Sequence, residues 1–305
     1  MHRRSLVVCL AVLTAASCSR KPAPSPLGID AQLAAMTPRE ATVLAGFRMD
    51  RIRSSPLYEE YFRGRLPGAG DAAGELMRFQ EQVDELLVAV SGRETLVLAR
   101  GRFDRAAVER KLRDSGAAET SVAAHKAFGG SNALFVPLDG GYALAGPRTL
   151  VEDALGRAGH TVALPARFFK PAQEIPSASH AWVISVGQLP PLAIPERSNL
   201  ANLPRALERV ELATASADLG NGMKLHAAAT CTTEDDALQI QTLLRGVIGM
   251  ARLSAPADQR ELRAAFDRIQ VAQSERTVTL SANLPADLVD LLAGALGVRR
   301  GETGR

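Results

Sequence analysis

The sequence predicts an α+β protein of two related units, in which antiparallel hairpins alternate with helices packed on the sheet. Three observations carry that expectation. Short apolar runs alternate with segments whose apolar residues recur every three or four positions, the helical period. An Asn-Gly pair at 221–222 separates two arms of strand-like alternation, which is hairpin chemistry. Each half of the chain also runs in a similar order of strand, helix, hairpin, helix, paired strands and helix, without any repeat of residues.

In the first unit, residues 41–49 (ATVLAGFRM) read as a strand and 50–62 as a short helical segment interrupted by Pro56. LPGAGD (66–71) reads as a loop. Leu76, Phe79, Val83 and Leu86 then recur at helical spacing, so a helix is expected through them. TLVLARG (95–101) is strand-like. Asp104 caps a helix through Leu112 that closes at Gly116. Strands are expected at 119–124, 133–138 and 142–145. Pro147 then opens a helix carrying Leu150, Val151, Ala154 and Leu155, which ends at Gly159.

Residues 160–179 contain three prolines and no clear period, and read as a connector. The second unit opens with a strand at 180–186, where Trp182 is expected in the core, followed by a Pro-rich loop. The hairpin about Gly220-Asn221-Gly222 comes next. In its second arm Met223, Leu225, Ala227, Ala229 and Cys231 share one face, and Lys224 and His226 the other. Thr233 and the acids 234–236 begin a long helix whose apolar stripe is Ile240, Leu243, Leu244, Val247, Ile248 and Ala251. A helix through Leu262 and Phe266, two paired strands and a last helix from Pro285 complete the unit.

The chain has 305 residues, 46% of them apolar, enough for two ordinary cores. Charged residues make up 23%, with both signs interspersed, which argues against wholesale disorder. Aromatics are only 4%, so the core must be aliphatic, and platforms for stacking single-stranded bases are scarce. The net charge is +3, but setting aside Arg3 and Arg4 leaves 34 basic residues against 33 acidic. A near-neutral body lacks the electrostatic footprint of nucleic-acid binding.

The amino end carries the most specific signal. His2-Arg3-Arg4 precede an apolar run from Leu6 to Ala16, followed by small residues, the three-part plan of a secretory signal peptide. Eleven helical residues span only roughly 16 Å of a hydrocarbon core about 30 Å thick, too short for a transmembrane helix. Ala15-Ala16-Ser17-Cys18 resembles the lipobox of bacterial lipoproteins. That resemblance, confined to residues 1–18, implies cleavage before Cys18 and attachment of palmitate-type acyl chains to it. Several chains together anchor firmly, at about 0.8 kcal/mol per buried methylene. Ser19 implies, within the same class, forwarding to the outer membrane. Ordinary secretion of a soluble or periplasmic protein is the alternative.

The resulting plan is a signal peptide (1–17), a lipidated end and Pro-rich tether (18–40), a first unit (41–159), the connector (160–179), a second unit (180–298) and a polar tail (299–305). With Cys9 in the signal and Cys18 acylated, Cys231 is left alone, so no disulfide framework is expected.

No motif for a nucleophile, phosphate loop or metal site is found. His125, His160, His180 and His226 lack metal-ligand spacing. No catalytic residue, metal or cofactor is therefore expected. Two candidate interfaces remain. Phe168 and Phe169 lie in the connector, where they either plug the gap between halves or meet a partner. Arg48, Arg51 and Arg53 concentrate charge beside two serines, and either form a solvated helix face or meet an anionic headgroup or glycan. These readings predict a non-enzymatic, lipid-anchored envelope protein facing the periplasm, acting as a binding or scaffolding module. Its expected partners are the membrane, through its lipid, and an envelope protein or hydrophobic ligand. An envelope hydrolase with an unfamiliar site, and a carrier of a hydrophobic ligand between the two halves, stay open as alternatives.

Overall fold

The computed structural model describes residues 26–63, 70–130, 133–160, 164–187, 189, 203–256 and 258–295. The expected signal peptide (1–17), Cys18 and the expected polar tail (299–305) lie outside these residues, as does most of the Pro-rich loop expected after 187.

A 3₁₀ turn (Pro26–Gly28) leads into α1 (Ala31–Met36), β1 (Val43–Phe47), α2 (Met49–Ile52) and a widened helical turn (Tyr58–Phe62). A 3₁₀ segment (Gly70–Gln82) precedes β2 (Val83–Ser91), β3 (Glu94–Gly101) and α3 (Arg105–Asp114). Then come β4 (Glu119–Val122), β5 (His125–Gly129), β6 (Leu134–Leu138), β7 (Tyr142–Gly146) and α4 (Arg148–Arg157). A 3₁₀ turn (Ala166–Phe168) and α5 (Phe169–Glu174) lead to β8 (Ala181–Val186), α6 (Leu203–Leu207), β9 (Val210–Asp218) and β10 (Met223–Cys231). The chain continues through α7 (Glu234–Ser254), α8 (Arg260–Asp267), β11 (Ile269–Ser274), β12 (Thr277–Leu284) and α9 (Ala286–Ala295).

The protein is thus α+β, but its strands form one sheet shared by both units. The order is β11-β12-β10-β9-β8-β1-β2-β3-β7-β6-β5-β4, and neighbouring strands run antiparallel. The units meet where β1 pairs with β8. Gly46 and Trp182 are partners in that ladder, and a β-carbon on Gly46 would lie 2.3 Å from the indole Cε2. The strand expected at 41–49 therefore needs a glycine where the large ring crosses it.

Strand residues of the first unit divide alternately between two cores. On one side, Leu86, Val88, Val97 and Ala99 pack with α2, α3 and the 3₁₀ segment, and this core continues into α8 and α9 of the second unit. On the other, Leu87, Ala89, Leu96 and Leu98 pack with α1 and α4. The helix expected through Leu86 is corrected accordingly. Leu76 and Phe79 lie in the 3₁₀ segment, but Val83 and Leu86 lie in β2. A strand buried on both faces has a continuous apolar run, which accidentally extended the helical spacing before it.

Two further expectations change. The tether ends before residue 40, because α1 is part of the fold. Leu33, Ala34, Ala35 and Met36 are buried, and Asp30 Oδ1 caps the helix by accepting from the Gln32 and Leu33 amides at 2.8 and 3.2 Å. Arg157 of α4 donates to the Ala35 and Met36 carbonyls at the other end. The connector is also structured. Its Phe168 is fully buried beside Trp182 and Ile184 in the second core, held by the turn before α5.

The strand expected over 119–124 is a hairpin, β4 and β5, whose two loop residues are Ala123 (φ 46°) and Ala124 (φ 67°). Both lie in the left-handed region that a tight hairpin demands, although neither is Gly or Asn. The expected hairpin at 218–223 does use glycine. Gly222 has φ 99°, and a β-carbon there would lie 2.3 Å from the Leu284 carbonyl oxygen.

Candidate functional site

The second unit packs α7, α8 and α9 on one face of β9–β12, and their seating is incomplete. In α7, the capping box of Thr233 and Asp236 secures the start, yet only Ala237 and Ile240 are buried along 21 residues. Leu238, Met250 and Leu253 are exposed, the last at 82%. Beneath the carboxyl half of α7 lies a cavity of about 470 Å³.

Its floor is the sheet, through Leu225 of β10 and Leu280, Ala282 and Leu284 of β12. Its roof is the α7 stripe of Leu244, Val247, Ile248 and Ala251. Phe266 of α8, with Val289 and Leu292 of α9, closes one side. The remaining wall comes from the first unit, as Leu57, Tyr61 and Phe62. Three bonds hold that wall in place. Ser55 Oγ donates to the Leu219 carbonyl at 2.6 Å, Tyr61 Oη donates to Asp290 Oδ1 at 2.8 Å, and Gln80 Nε2 donates to the Phe62 carbonyl at 2.8 Å. Nearby Tyr58 donates to Glu81 at 2.7 Å. Burial, together with that carboxylate, pushes its phenol pKa up to about 12.

Every lining residue is apolar except Tyr61, whose hydroxyl is already donated to Asp290. Such a space can hold hydrocarbon but supplies no acid, base or nucleophile. On its outer side α7 is tied to the sheet edge by Arg245, whose Nε and Nη2 donate to the Val271 carbonyl at 3.2 and 2.8 Å. An edge-strand carbonyl is thereby satisfied by a side chain where a neighbouring strand would otherwise bond.

The sequence candidates fall elsewhere. Phe168, expected either to plug the gap between the halves or to meet a partner, is fully buried, and Phe169 is half-buried against the same core. The three arginines do not form an open basic patch. Arg48 donates to the Gly28 carbonyl and Arg51 to the Ala178 carbonyl. Arg53 donates to the Val83 carbonyl and pairs with Asp84, both at 2.6 Å. Arg53 bonds within the first unit, whereas Arg48 reaches the segment before it and Arg51 the connector. Cys231 is fully buried, and burial raises its thiol pKa, which disfavours the reactive thiolate. Among the described residues, no three His, Cys, Asp or Glu side chains are grouped to hold a metal, and no helix is long and apolar enough to cross a membrane.

The apolar stripe of α7 and the helical reading of 50–62 were visible in the sequence. Their convergence around a void was not, because apolar spacing reports which face is inward and not whether the interior is filled.

No known family model matches the chain, and no curated protein does. Among solved structures, crystal form I of TP0453 is similar, with a TM-score of 0.53 and 11% identity over 86% of this chain and 96% of that one. Crystal form III of TP0453 gives a TM-score of 0.49 at 8% identity, over 87% and 98%. At such identity the first likeness concerns the fold alone.

Proposed function

We propose that this protein is a lipid-anchored binding module of the bacterial cell envelope, non-enzymatic and facing the periplasm, that carries a hydrophobic ligand. The observation that favours a carrier is the apolar cavity, partly open to solvent, which is of the size that binding sites for small molecules have, roughly 300–1,000 Å³. The site belongs mainly to the second unit, with one wall contributed by the first, which refines the expectation of a ligand held between the halves. The anchor is Cys18, joined to the folded body by a tether that ends near Pro26. The two units are read as related in architecture. In each, a hairpin is followed by a helix, and a later strand returns beside the hairpin's second strand, β7 beside β3 and β12 beside β10.

Two measurements test this reading. Cys18→Ser should move the protein out of the membrane fraction or leave its precursor uncut. A mature, soluble protein with a free thiol at residue 18 would end the anchoring claim. Native mass spectrometry of protein purified without detergent should show an adduct lost on extraction with organic solvent. The carrier claim falls if the protein shows no adduct and also takes up no apolar dye.

A further inference from the structure

From the same cavity, and resting on its reading as a ligand site, we infer that the ligand is a single-chain amphiphile. One acyl chain is buried and its polar head stays outside. Three observations on the lining decide the class.

The first is chemical. Tyr61 is the only lining residue with a polar side-chain atom, and its hydroxyl donates to Asp290. A headgroup drawn inside would lose water without gaining partners, at a cost of roughly 2–7 kcal/mol for each unpaired polar group in an apolar setting. The buried part of the ligand is therefore hydrocarbon.

The second is size. A cavity of about 150 Å³ lined by apolar side chains holds one benzene, so about 470 Å³ has room for roughly 18 carbons. That is one long acyl chain. The two chains of a diacyl lipid require about twice the space.

The third is the nature of the walls. Leu225, Leu244, Ile248, Leu284 and Leu292 are flexible aliphatics. Such walls accommodate a bending chain. A flat, rigid ring system fits best between aromatic planes, of which the cavity has few.

The test uses the whole purified protein, stripped of bound lipid, with the neutral dye N-phenyl-1-naphthylamine as the probe. The dye should bind with a stoichiometry of one, which reports on the cavity itself. Lysophosphatidylcholines of 8 to 20 carbons, kept below their micelle concentrations, should then displace it. Affinity should rise about fourfold per methylene, the ~0.8 kcal/mol of each buried CH₂, and level off near 16–18 carbons. Exchanging the phosphocholine head for a carboxylate should change affinity less than threefold. Ala251→Phe, which adds a ring to the roof, should bring the plateau down by several carbons while leaving the circular dichroism spectrum unchanged.

Dye binding with no dependence on chain length, or stronger displacement by a diacyl lipid or a polycyclic terpenoid, overturns the single-chain assignment and leaves the cavity reading intact. A plateau that Ala251→Phe leaves in place removes the chain from this cavity. Absence of dye binding removes the site altogether.

Discussion

Trp182 occupies the space in which a side chain of Gly46, its partner across the β1–β8 ladder, would stand. A β-carbon there would meet Cε2 and Cζ2 at 2.3 Å and Nε1 at 2.6 Å. The contact lies on the seam where the first unit joins the second, so the sheet is continuous only because one strand yields its side chain to the ring from the other. Gly46→Ala should destabilise by about 1–3 kcal/mol through overpacking. Trp182→Ala should cost about 3–5 kcal/mol through the cavity it leaves. The two effects should not add, because removing the indole makes room for the new methyl. Urea denaturation of the two single variants and the double variant measures the coupling. Additive losses would show that the ring does not depend on that glycine.

The fold's amino-terminal edge rests on Asp30, which does more than cap α1. Its backbone amide donates to Glu85 Oε1 at 3.2 Å, and Tyr142 Oη donates to its Oδ2 at 3.1 Å. Arg100 completes the cluster through Glu85 at 3.2 Å. Asp30→Ala removes the cap and leaves the Tyr142 hydroxyl without this partner. Stability should fall by about 1–2 kcal/mol. Hydrogen exchange should quicken in 31–36 ahead of the sheet, and uniform exchange across both would contradict a local anchoring role.

The β4–β5 turn offers a stabilising change. Ala123 and Ala124 hold left-handed backbone angles that cost an L-residue roughly 1–2 kcal/mol each. Replacing them with Asn-Gly, the pair that suits this turn, should raise stability by on the order of 1 kcal/mol. A thermal melt checks this, and an unchanged or lower midpoint would mean that the turn carries no such strain.

His180 gives the protein an acid-sensitive point. Its Nδ1 accepts from the Leu219 amide at 3.4 Å, which only the neutral ring can do, and lies 3.3 Å from Asp218 Oδ1. Burial lowers its pKa below 6.5, and nearby Arg51 acts in the same direction against Asp218 and Asp50. A depressed histidine pKa means that the unfolded chain takes up the proton first as pH falls. Stability is therefore complete above about 6.5 and declines below it. His180→Gln, whose amide oxygen can still accept from Leu219, should flatten the decline between pH 7 and 5. Melting curves across that range decide it, and a wild-type slope in the variant would exclude His180 as the source.

Cys231 should be silent. In native protein at pH 8 its thiol should react with a maleimide only at the rate of local or global opening, and at the ordinary rate in denaturant. Rapid labelling of folded protein would contradict its burial at the end of β10 beneath Ala237 and Ile240 of α7.

Much of the local structure was legible. The Asp104 and Thr233 caps, the hairpin at Asn221-Gly222 and the stripe of α7 are each written in residues within one turn or one strand of each other. The β4–β5 turn was hidden because alanines occupy positions that usually announce themselves as glycine or asparagine. The start of β2 was hidden because burial on both faces removes alternation. The candidate site was legible only in parts. Each wall could be read as apolar, but Leu57, Leu225, Leu244 and Leu292 are brought together by packing between distant segments.

Sequence alone determined many of the helical and strand-forming segments and the aliphatic character of the interior, because these depend on neighbouring residues and on composition. Tertiary structure decided that two units share one sheet, that Phe168 and the three arginines serve the fold, and that a void remains under α7. Those outcomes depend on how far apart packed faces come to rest, and a linear order of side chains does not encode that distance locally.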